Sequence, residues 1–208
     1  MRLAALCGLR VAPVKLVQAL GKDVLLIERF DRSKIKSGWT RKSMVSALTL
    51  FGLSDMTARY ASYEDFAHMI RVRFIEPKKT LKELFGRVVF NILCGNNDDH
   101  ARNHAAFWDG KELTLTPAYD ICPQARTGNE STQAMKIIGN NGYSQLKTCL
   151  MAAHHFLLSE KEAIEIFNTF QENIRNHWDS VCDEASLAEV DKSFFWGRQF
   201  LNPFSLEY

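Results

Sequence analysis

Residues 94–104, CGNNDDHARNH, place three Asn, two Asp, two His and one Arg within eleven positions. The stretch follows a largely apolar run at 88–93, VVFNIL, which is typical of a buried helix. Two or three polar groups are enough to satisfy the last carbonyls of a helix. Eight polar side chains exceed what capping requires, so the pattern favours a chemical role for this loop.

The sequence after the loop contains a further candidate site residue, Asp120. A hairpin is predicted next, with strands at 105–108 and 112–115, and Asp120 follows that hairpin. Phosphoryl transfer needs a carboxylate to orient the acceptor hydroxyl and oxygen ligands to hold Mg²⁺ on the nucleotide phosphates. Protein kinases take these groups from a D-x-x-x-x-N loop and from an Asp after the next hairpin. Asp98, Asn103 and Asp120 fit these three roles.

Two other interpretations of the loop remain open. His100 and His104 could bind zinc together with Asp98 or Asp99 if the segment were helical. The sequence H-A-R-N-H lacks the Glu of a metalloprotease helix, and Asn-rich sequence disfavours a helix here. The third interpretation is a solvated turn whose charges have no function.

The rest of the pattern predicts a mainly α (α+β) fold. Residues 2–8 read as helix, and a hairpin is predicted from runs at 15–18 and 24–30, the second of which ends in the sequence ERFDR. From residue 40 the period is helical. Helices are predicted at 41–51, at 63–75 after Ser62, at 81–94 after Thr80, and after Ser159. The expected division is 1–39, a partial hinge region with a β-hairpin, and 40–208, a helical lobe.

Composition narrows the classes of protein that the chain can belong to. The 208 residues are 46% hydrophobic, and 26 basic residues against 24 acidic ones give a net charge of +2. This balance provides no strong field for nucleic acid or for an anionic membrane. The five cysteines form no CxxC pair, which argues against a disulfide framework or a thiolate zinc site. The scattered cysteines favour a reducing cytoplasm. No apolar run is long enough to span a membrane.

With ERFDR at 28–32, NILCGNNDDHARNH at 91–104 and LTPAYDI at 115–121, the chain resembles the HipA family of bacterial toxin-antitoxin serine/threonine kinases. The resemblance implies a protein-kinase-like carboxy-terminal lobe, with a hinge hairpin and a short catalytic-site hairpin, and ATP/Mg²⁺-dependent phosphorylation of a protein hydroxyl. It also implies aminoacyl-tRNA synthetases as substrates and a DNA-binding HipB-type antitoxin as partner.

The same resemblance assigns roles to individual residues. Asp98 takes the position of the catalytic Asp, and Asn103 and Asp120 take those of the Mg²⁺ ligands. For nucleotide binding, the resemblance implies Glu28, Arg29 and Phe30 in the hinge, and Asp31, His100 and Arg102 around the nucleotide. Arg102 stands where the family often has Lys, and Arg differs from Lys in shape while it keeps the charge.

The sequence also departs from the family pattern. Neither a Gly-rich phosphate loop nor a phosphate-binding lysine precedes the hinge. The expectation is therefore a kinase lobe whose amino-terminal lobe is largely missing, with apolar surface exposed at Leu3, Leu6, Leu9, Leu16, Leu25 and Ile27.

Two functions are compatible with that expectation. One is a kinase, or the catalytic part of a split kinase, and the other is an inactive remnant that acts as a protein-binding module. The expected partner is a HipB-like antitoxin or a companion N-lobe protein, with no direct nucleic-acid contact and no membrane contact.

Overall fold

The computed structural model describes residues 1–125 and 128–208. All described helices except the first lie from residue 47 onward, and the described strands lie between residues 14 and 115. The α-helices are α1 (Arg2–Leu6), α2 (Ala47–Leu50), α3 (Tyr63–Arg73), α4 (Pro77–Cys94), α5 (Leu146–Ala152), α6 (Glu160–Glu184) and α7 (Glu189–Phe195). Short 3₁₀ helices lie at Asp55–Tyr60, Ala153–Phe156 and Pro203–Leu206.

Helix α4 is the centre of the hydrophobic core. Every residue from Leu84 to Cys94 is buried, because α3, α5 and α6 all pack against this helix. A helix that is apolar on nearly all sides is stable only when other elements surround it. The loop at 95–104 therefore leaves the most buried helix of the chain.

Two of the three predicted helix starts are confirmed. The Ser62 hydroxyl accepts a hydrogen bond from the Asp65 amide at the start of α3, and Ser159 with Glu162 forms a capping box at the start of α6. The predicted start after Thr80 is wrong, since α4 begins at Pro77. Proline is well suited to the first turn of a helix because its missing N–H would have no intrahelical acceptor there.

Seven strands form three antiparallel sheets in the described residues. The first pairs β1 (Val14–Ala19) with β2 (Lys22–Ile27), and the second pairs β3 (Arg32–Ile35) with β4 (Gly38–Arg41). The third sheet contains β5 (Ser43–Ser46), β6 (Ala105–Trp108) and β7 (Leu113–Leu115) in that order. The hairpin predicted after the polar loop is thus confirmed as β6–β7.

The helix predicted at 41–51 is wrong for its first half. Residues 43–46 form β5, which pairs with β6, and only Ala47–Leu50 is helical. Pairing with a strand more than fifty residues away in sequence overrides the local periodicity. The β3–β4 hairpin was also not predicted, and it crosses the expected boundary between residues 39 and 40.

The β1–β2 hairpin exposes apolar side chains. Leu25 is 53% exposed, and Leu16 and Ile27 are similarly accessible, which confirms the prediction for these three residues. Leu3 and Leu9 contradict that expectation, because both are buried against the helical core. The architecture as a whole is mixed helix and sheet, which confirms the α+β part of the predicted fold class. Among the described helices, none is both long and apolar enough to cross a bilayer.

Candidate active site

Gly95 sets the direction in which the polar loop leaves α4. It ends the helix with a φ of +72°, in the left-handed region that glycine enters without steric cost. A Cβ atom at this position would lie 2.7 Å from the carbonyl oxygen of Gln199. The close approach of the chain near residue 199 therefore leaves no room for a side chain here.

Asp99 anchors the inner side of the loop. Its carboxylate is buried and accepts hydrogen bonds from the Tyr63 hydroxyl at 2.5 Å and from the Asn91 amide at 2.8 Å, and it lies 2.8 Å from His104 Nε2. Burial opposes ionisation of this carboxyl, but the charge and hydrogen bond of His104, helped by Tyr63, lower the pKa of Asp99. The loop is thus fixed to α3 and α4 by an ionised group.

Asp98, by contrast, lies on the outer side of the loop with an exposed carboxylate. Within the described residues, no side chain or backbone group donates a hydrogen bond to that carboxylate. Asn103 is buried nearby, and its amide nitrogen lies 3.5 Å from the backbone oxygen of Asp98. This contact directs the amide N–H groups toward the backbone and leaves the amide oxygen available to a ligand.

Asp120 lies on a segment that is tied to the same loop. The hydroxyl of the neighbouring Tyr119 donates to the backbone oxygen of Arg102 at 2.6 Å. Burial, with the charge of Asp99 contributing, raises the pKa of Tyr119 to about 12, so this hydroxyl keeps its proton at neutral pH. Asp120 has a φ of +57° and an exposed carboxylate. A left-handed conformation in a residue other than glycine is a form of local strain that is common at functional sites.

Two arginines support the strand that leads to Asp120. The buried Arg87 guanidinium donates to the Thr116 carbonyl at 2.7 Å, and its charge is balanced by Glu83 at 2.8 Å. The Arg10 guanidinium donates to the carbonyl of Leu115. These contacts satisfy carbonyls just after β7 and hold the start of the 116–120 segment against α4.

The hinge segment and Asp120 line one pocket of about 430 Å³. Phe30 packs against Tyr119 and Phe107, with ring centroids 5.5 and 6.0 Å apart. Asp31 is half-buried, and its carboxylate accepts both hydrogen bonds of the Arg29 guanidinium, which lower the pKa of Asp31. The pocket is lined by Ile27, Glu28, Arg29, Phe30, Asp31, Met44, Tyr119 and Asp120.

The structure brings some of the predicted site residues together and leaves others apart. Five of them line this pocket, namely Glu28, Arg29, Phe30, Asp31 and Asp120, while Asp98 and Asn103 share the adjacent loop. The other two are placed differently. Arg102 pairs with Asp55 on the protein surface, and His100 is half-buried with its Nδ1 atom lacking a partner among the described residues.

The zinc interpretation finds no support in this arrangement. The loop is not helical, and His104 is engaged by Asp99. Across 1–125 and 128–208, no three His, Cys, Asp or Glu side chains lie together as a metal site would require. Carboxylate and amide oxygens, such as those of Asp120 and Asn103, are the types of ligand that a hard cation such as Mg²⁺ takes.

Sequence reasoning did not identify the Asp99 cluster or the two supporting arginines. The sequence predicts Asp99 only as a possible zinc ligand. Its partners Tyr63 and Asn91 lie on two different helices. Only the tertiary fold reveals which of the two neighbouring Asp residues is buried.

Comparisons with known proteins identify a family that this chain matches. The model of the family described as HipA-like C-terminal domain matches residues 1–178. The protein named Putative kinase Y4mE from Sinorhizobium fredii is 31% identical over 127 residues, which are 58% of this chain and 30% of that protein. The serine/threonine-protein kinase toxin HipA of Shewanella oneidensis is 27% identical over 139 residues, 58% of this chain and 32% of the toxin.

Solved structures give the same result for the fold. HipA of Shewanella oneidensis, solved in a complex with HipB and operator DNA, superimposes with a TM-score of 0.81 at 21% sequence identity. The match covers 100% of this chain and 57% of the HipA chain. The two chains therefore share a fold, and this chain spans less than two thirds of the lengths of these relatives.

Proposed function

This chain belongs to the HipA-like C-terminal domain family, and we propose that it is the carboxy-terminal lobe of a protein serine/threonine kinase that uses ATP and Mg²⁺. One observation carries the proposal: the hinge residues Glu28 to Asp31 and the carboxylate of Asp120 line the same pocket. The Tyr119 hydroxyl connects that pocket to the loop that bears Asp98 and Asn103.

The pocket is where we place the nucleotide. Its volume of about 430 Å³ is within the usual range for small-molecule sites. The backbone of Glu28 to Phe30 would meet the adenine edge, and the Phe30 ring supplies an apolar surface beside it. Asp31, His100 and Arg102 are proposed to contact the ribose or the phosphates, and Arg102 would have to exchange its partner Asp55 for a phosphate.

Asn103 and Asp120 are the proposed Mg²⁺ ligands. The Asp120 carboxylate is exposed and has no donor in the described part of the chain, so no described residue competes with a cation for it. The Asn103 amide is buried, and its nitrogen faces a backbone oxygen, which favours coordination through the amide oxygen. When bound, Mg²⁺ neutralises the charge on the nucleotide phosphates.

Asp98 is the proposed catalytic residue. Its exposed carboxylate is free to accept a hydrogen bond from the substrate hydroxyl and to take its proton as phosphate is transferred. Asp99 is unsuited to this role, since Tyr63, Asn91 and His104 already surround its carboxylate in the protein interior. Asp99 acts instead by positioning the loop.

Partners follow from the family relationship. The Shewanella HipA structure contains HipB and operator DNA, and we propose a HipB-like antitoxin or a companion N-lobe protein as partner of this chain. An aminoacyl-tRNA synthetase is the proposed type of substrate. Direct contact with nucleic acid or with a membrane is not part of the proposal, because the net charge of +2 provides little attraction for either.

A second function, a protein-binding module without turnover, is favoured by the β1–β2 hairpin. Its apolar side chains Leu16, Leu25 and Ile27 are each more than 40% exposed. Apolar strands with free edges invite pairing with another protein. The module and the kinase differ in whether the pocket binds Mg-ATP and supports transfer.

Calorimetry with Mg-ATP and a phosphate-transfer assay with labelled ATP test the proposal, on the natural chain and on Asp120→Asn and Asp98→Asn. We expect weak binding, with a dissociation constant nearer about 1 mM than 1 μM, because the only cation lining the pocket, among the described residues, is Arg29 and it is paired with Asp31. Asp120→Asn should weaken Mg-ATP binding further. Asp98→Asn should keep that binding but reduce transfer by about 10²-fold or more.

Asp191→Asn, on the exposed face of α7, serves as the control and should change neither quantity. Tight binding that Asp120→Asn leaves intact would refute the assigned metal site. The module function would be established instead if the chain neither binds Mg-ATP nor transfers phosphate, and if it binds a partner protein that the Leu25→Asp variant no longer binds.

A further inference from the structure

A second, polar cavity of about 820 Å³ lies beside the loop that carries Asp98. We call it the basic cavity. One wall is the end of the 3₁₀ helix Asp55–Tyr60, and the other is formed by the segment 132–143. Its lining residues are Arg59, Tyr60, Thr132, Gln133, Ala134, Lys136, Asn140, Asn141, Gly142 and Tyr143.

Both walls of the basic cavity are fixed to the polar loop. The Ala134 amide donates to the Asn97 carbonyl at 2.9 Å, and the Asn97 side chain donates to the Ser131 hydroxyl at 2.9 Å. On the opposite wall, Asp55 at the start of the 3₁₀ helix pairs with Arg102. The cavity wall at Ala134 therefore contacts Asn97, the residue that precedes Asp98.

The charge of the basic cavity is positive. Arg59 and Lys136 line it, and no Asp or Glu is found among its described lining residues. Neither cation is neutralised by a carboxylate there: the Arg59 guanidinium lies 5.1 Å from the centre of the Tyr60 ring, and the Lys136 ammonium donates to the Asn140 carbonyl. Unpaired cations beside a site attract an anionic partner.

Other lining groups suit an extended polypeptide. Tyr60 and Tyr143 are 63% and 47% exposed, and aromatic side chains of this kind are enriched where proteins bind one another. The amide nitrogen of the buried Gln133 donates to Ser144, while its amide oxygen has no donor within the described residues.

We infer that the basic cavity binds the part of the protein substrate that flanks the phosphorylated hydroxyl, and that this part is acidic. The inference rests on the proposed kinase function. In that function Asp98 accepts the proton of a substrate hydroxyl, so the protein substrate has to lie beside the loop that carries Asp98. Two separated cations are enough to bind a few carboxylates on a peptide. A site for a nucleic-acid strand usually has a longer row of basic groups, which bind the phosphates along the backbone.

The binding test uses the full chain and fluorescence anisotropy of labelled short peptides, without nucleotide. One peptide has a central Ser flanked by Glu, and a second has Gln in place of every Glu. The acidic peptide should bind more tightly and lose affinity as salt is added. Arg59→Glu and Lys136→Glu should each weaken its binding by about tenfold or more. Lys161→Glu on α6 makes the same change in net charge and should leave the affinity within about twofold.

The outcomes separate this inference from the proposed kinase function. Equal binding of the two peptides, or no binding of either, overturns the inference, and so does an affinity that Arg59→Glu and Lys136→Glu leave unchanged in variants with normal thermal unfolding. Preference for a labelled oligouridine over the acidic peptide would assign the cavity to RNA. If the acidic peptide binds as expected but Mg-ATP yields no phosphopeptide, the cavity stands and the kinase function fails. If Mg-ATP phosphorylates both peptides equally well, the kinase function stands and the inference about the cavity fails.

Discussion

The loop at 95–104 carries two neighbouring Asp residues, one on its inner side and one on its outer side, and their surroundings differ completely. On the inner side, Asp99 is buried and surrounded by Tyr63, Asn91 and His104. On the outer side, Asp98 is exposed, and no donor among the described residues reaches its carboxylate. The inner carboxylate stabilises the loop, and the outer one is left available for chemistry. Rigid support directly behind a reactive group is what a catalytic site requires.

The largest effect that this comparison predicts is on stability. Replacing Asp99 by Ala removes the acceptor of buried donors on α3, α4 and the loop. Because those donors stay in the interior without a partner, Asp99→Ala should lower the free energy of unfolding by about 3–5 kcal/mol. Asp98→Ala should change it by no more than about 0.5 kcal/mol. Urea denaturation followed by circular dichroism measures both values.

Equal losses for Asp98→Ala and Asp99→Ala would contradict the division into an inner and an outer side. A large loss for Asp98→Ala alone would mean that its exposed carboxylate has a structural partner in solution. Asp99→Asn is a useful intermediate variant, since it keeps one acceptor oxygen at nearly the same position and removes the charge. We expect its loss to fall between the other two.

A second, smaller effect is the dependence of stability on pH. Burial opposes the ionisation of Asp99, but His104 and Tyr63 outweigh it and lower the pKa of Asp99 below its ordinary value of 3.8. The ionised carboxyl therefore contributes stability above the pKa of the unfolded chain. That contribution is lost as the pH falls from about 4 through the lower pKa of the folded state.

The measurement is the difference in unfolding free energy between the natural chain and Asp99→Asn, since titrating groups that do not interact with Asp99 contribute equally to both. This difference should be constant near neutral pH and should shrink in acid. A difference that grows as the pH is lowered would show that the pKa of Asp99 is raised and that the carboxyl is neutral when folded.

Some parts of the site could be predicted from sequence because they depend on neighbours in the chain. The hairpin β6–β7 follows from two short apolar runs around Asp109-Gly110, and the starts of α3 and α6 follow from Ser62 and Ser159. The placement of Asp120 just after that hairpin could be predicted in the same way. The catalytic and metal-binding roles of Asp98, Asn103 and Asp120 remain predictions.

Other parts could not be predicted because they depend on distant contacts. Strand β5 exists since it pairs with β6, and nothing in residues 43–46 alone favours a strand over a helix. The identity of the buried Asp depends on Tyr63, which lies 36 positions earlier in the chain. The two walls of the basic cavity are likewise separated by more than seventy residues, and they meet through backbone hydrogen bonds of Lys136 with Ala61 and Tyr63.

The smallest predicted effect is on the outer side, at the ion pair between Arg102 and Asp55. Both side chains are largely solvent-exposed, at 48% and 79%, so water and salt screen their attraction. Arg102→Ala should lower the free energy of unfolding by only about 0.2–1 kcal/mol. The hydrogen bond from Tyr119 should persist in this variant, because it uses the backbone oxygen of residue 102.

A double-mutant cycle of Arg102→Ala with Asp55→Ala, repeated in low and high salt, isolates the energy of the ion pair. A coupling energy as large as the loss caused by Asp99→Ala would show that the outer side also holds the fold, and a coupling that salt does not reduce would show that the pair is buried in solution.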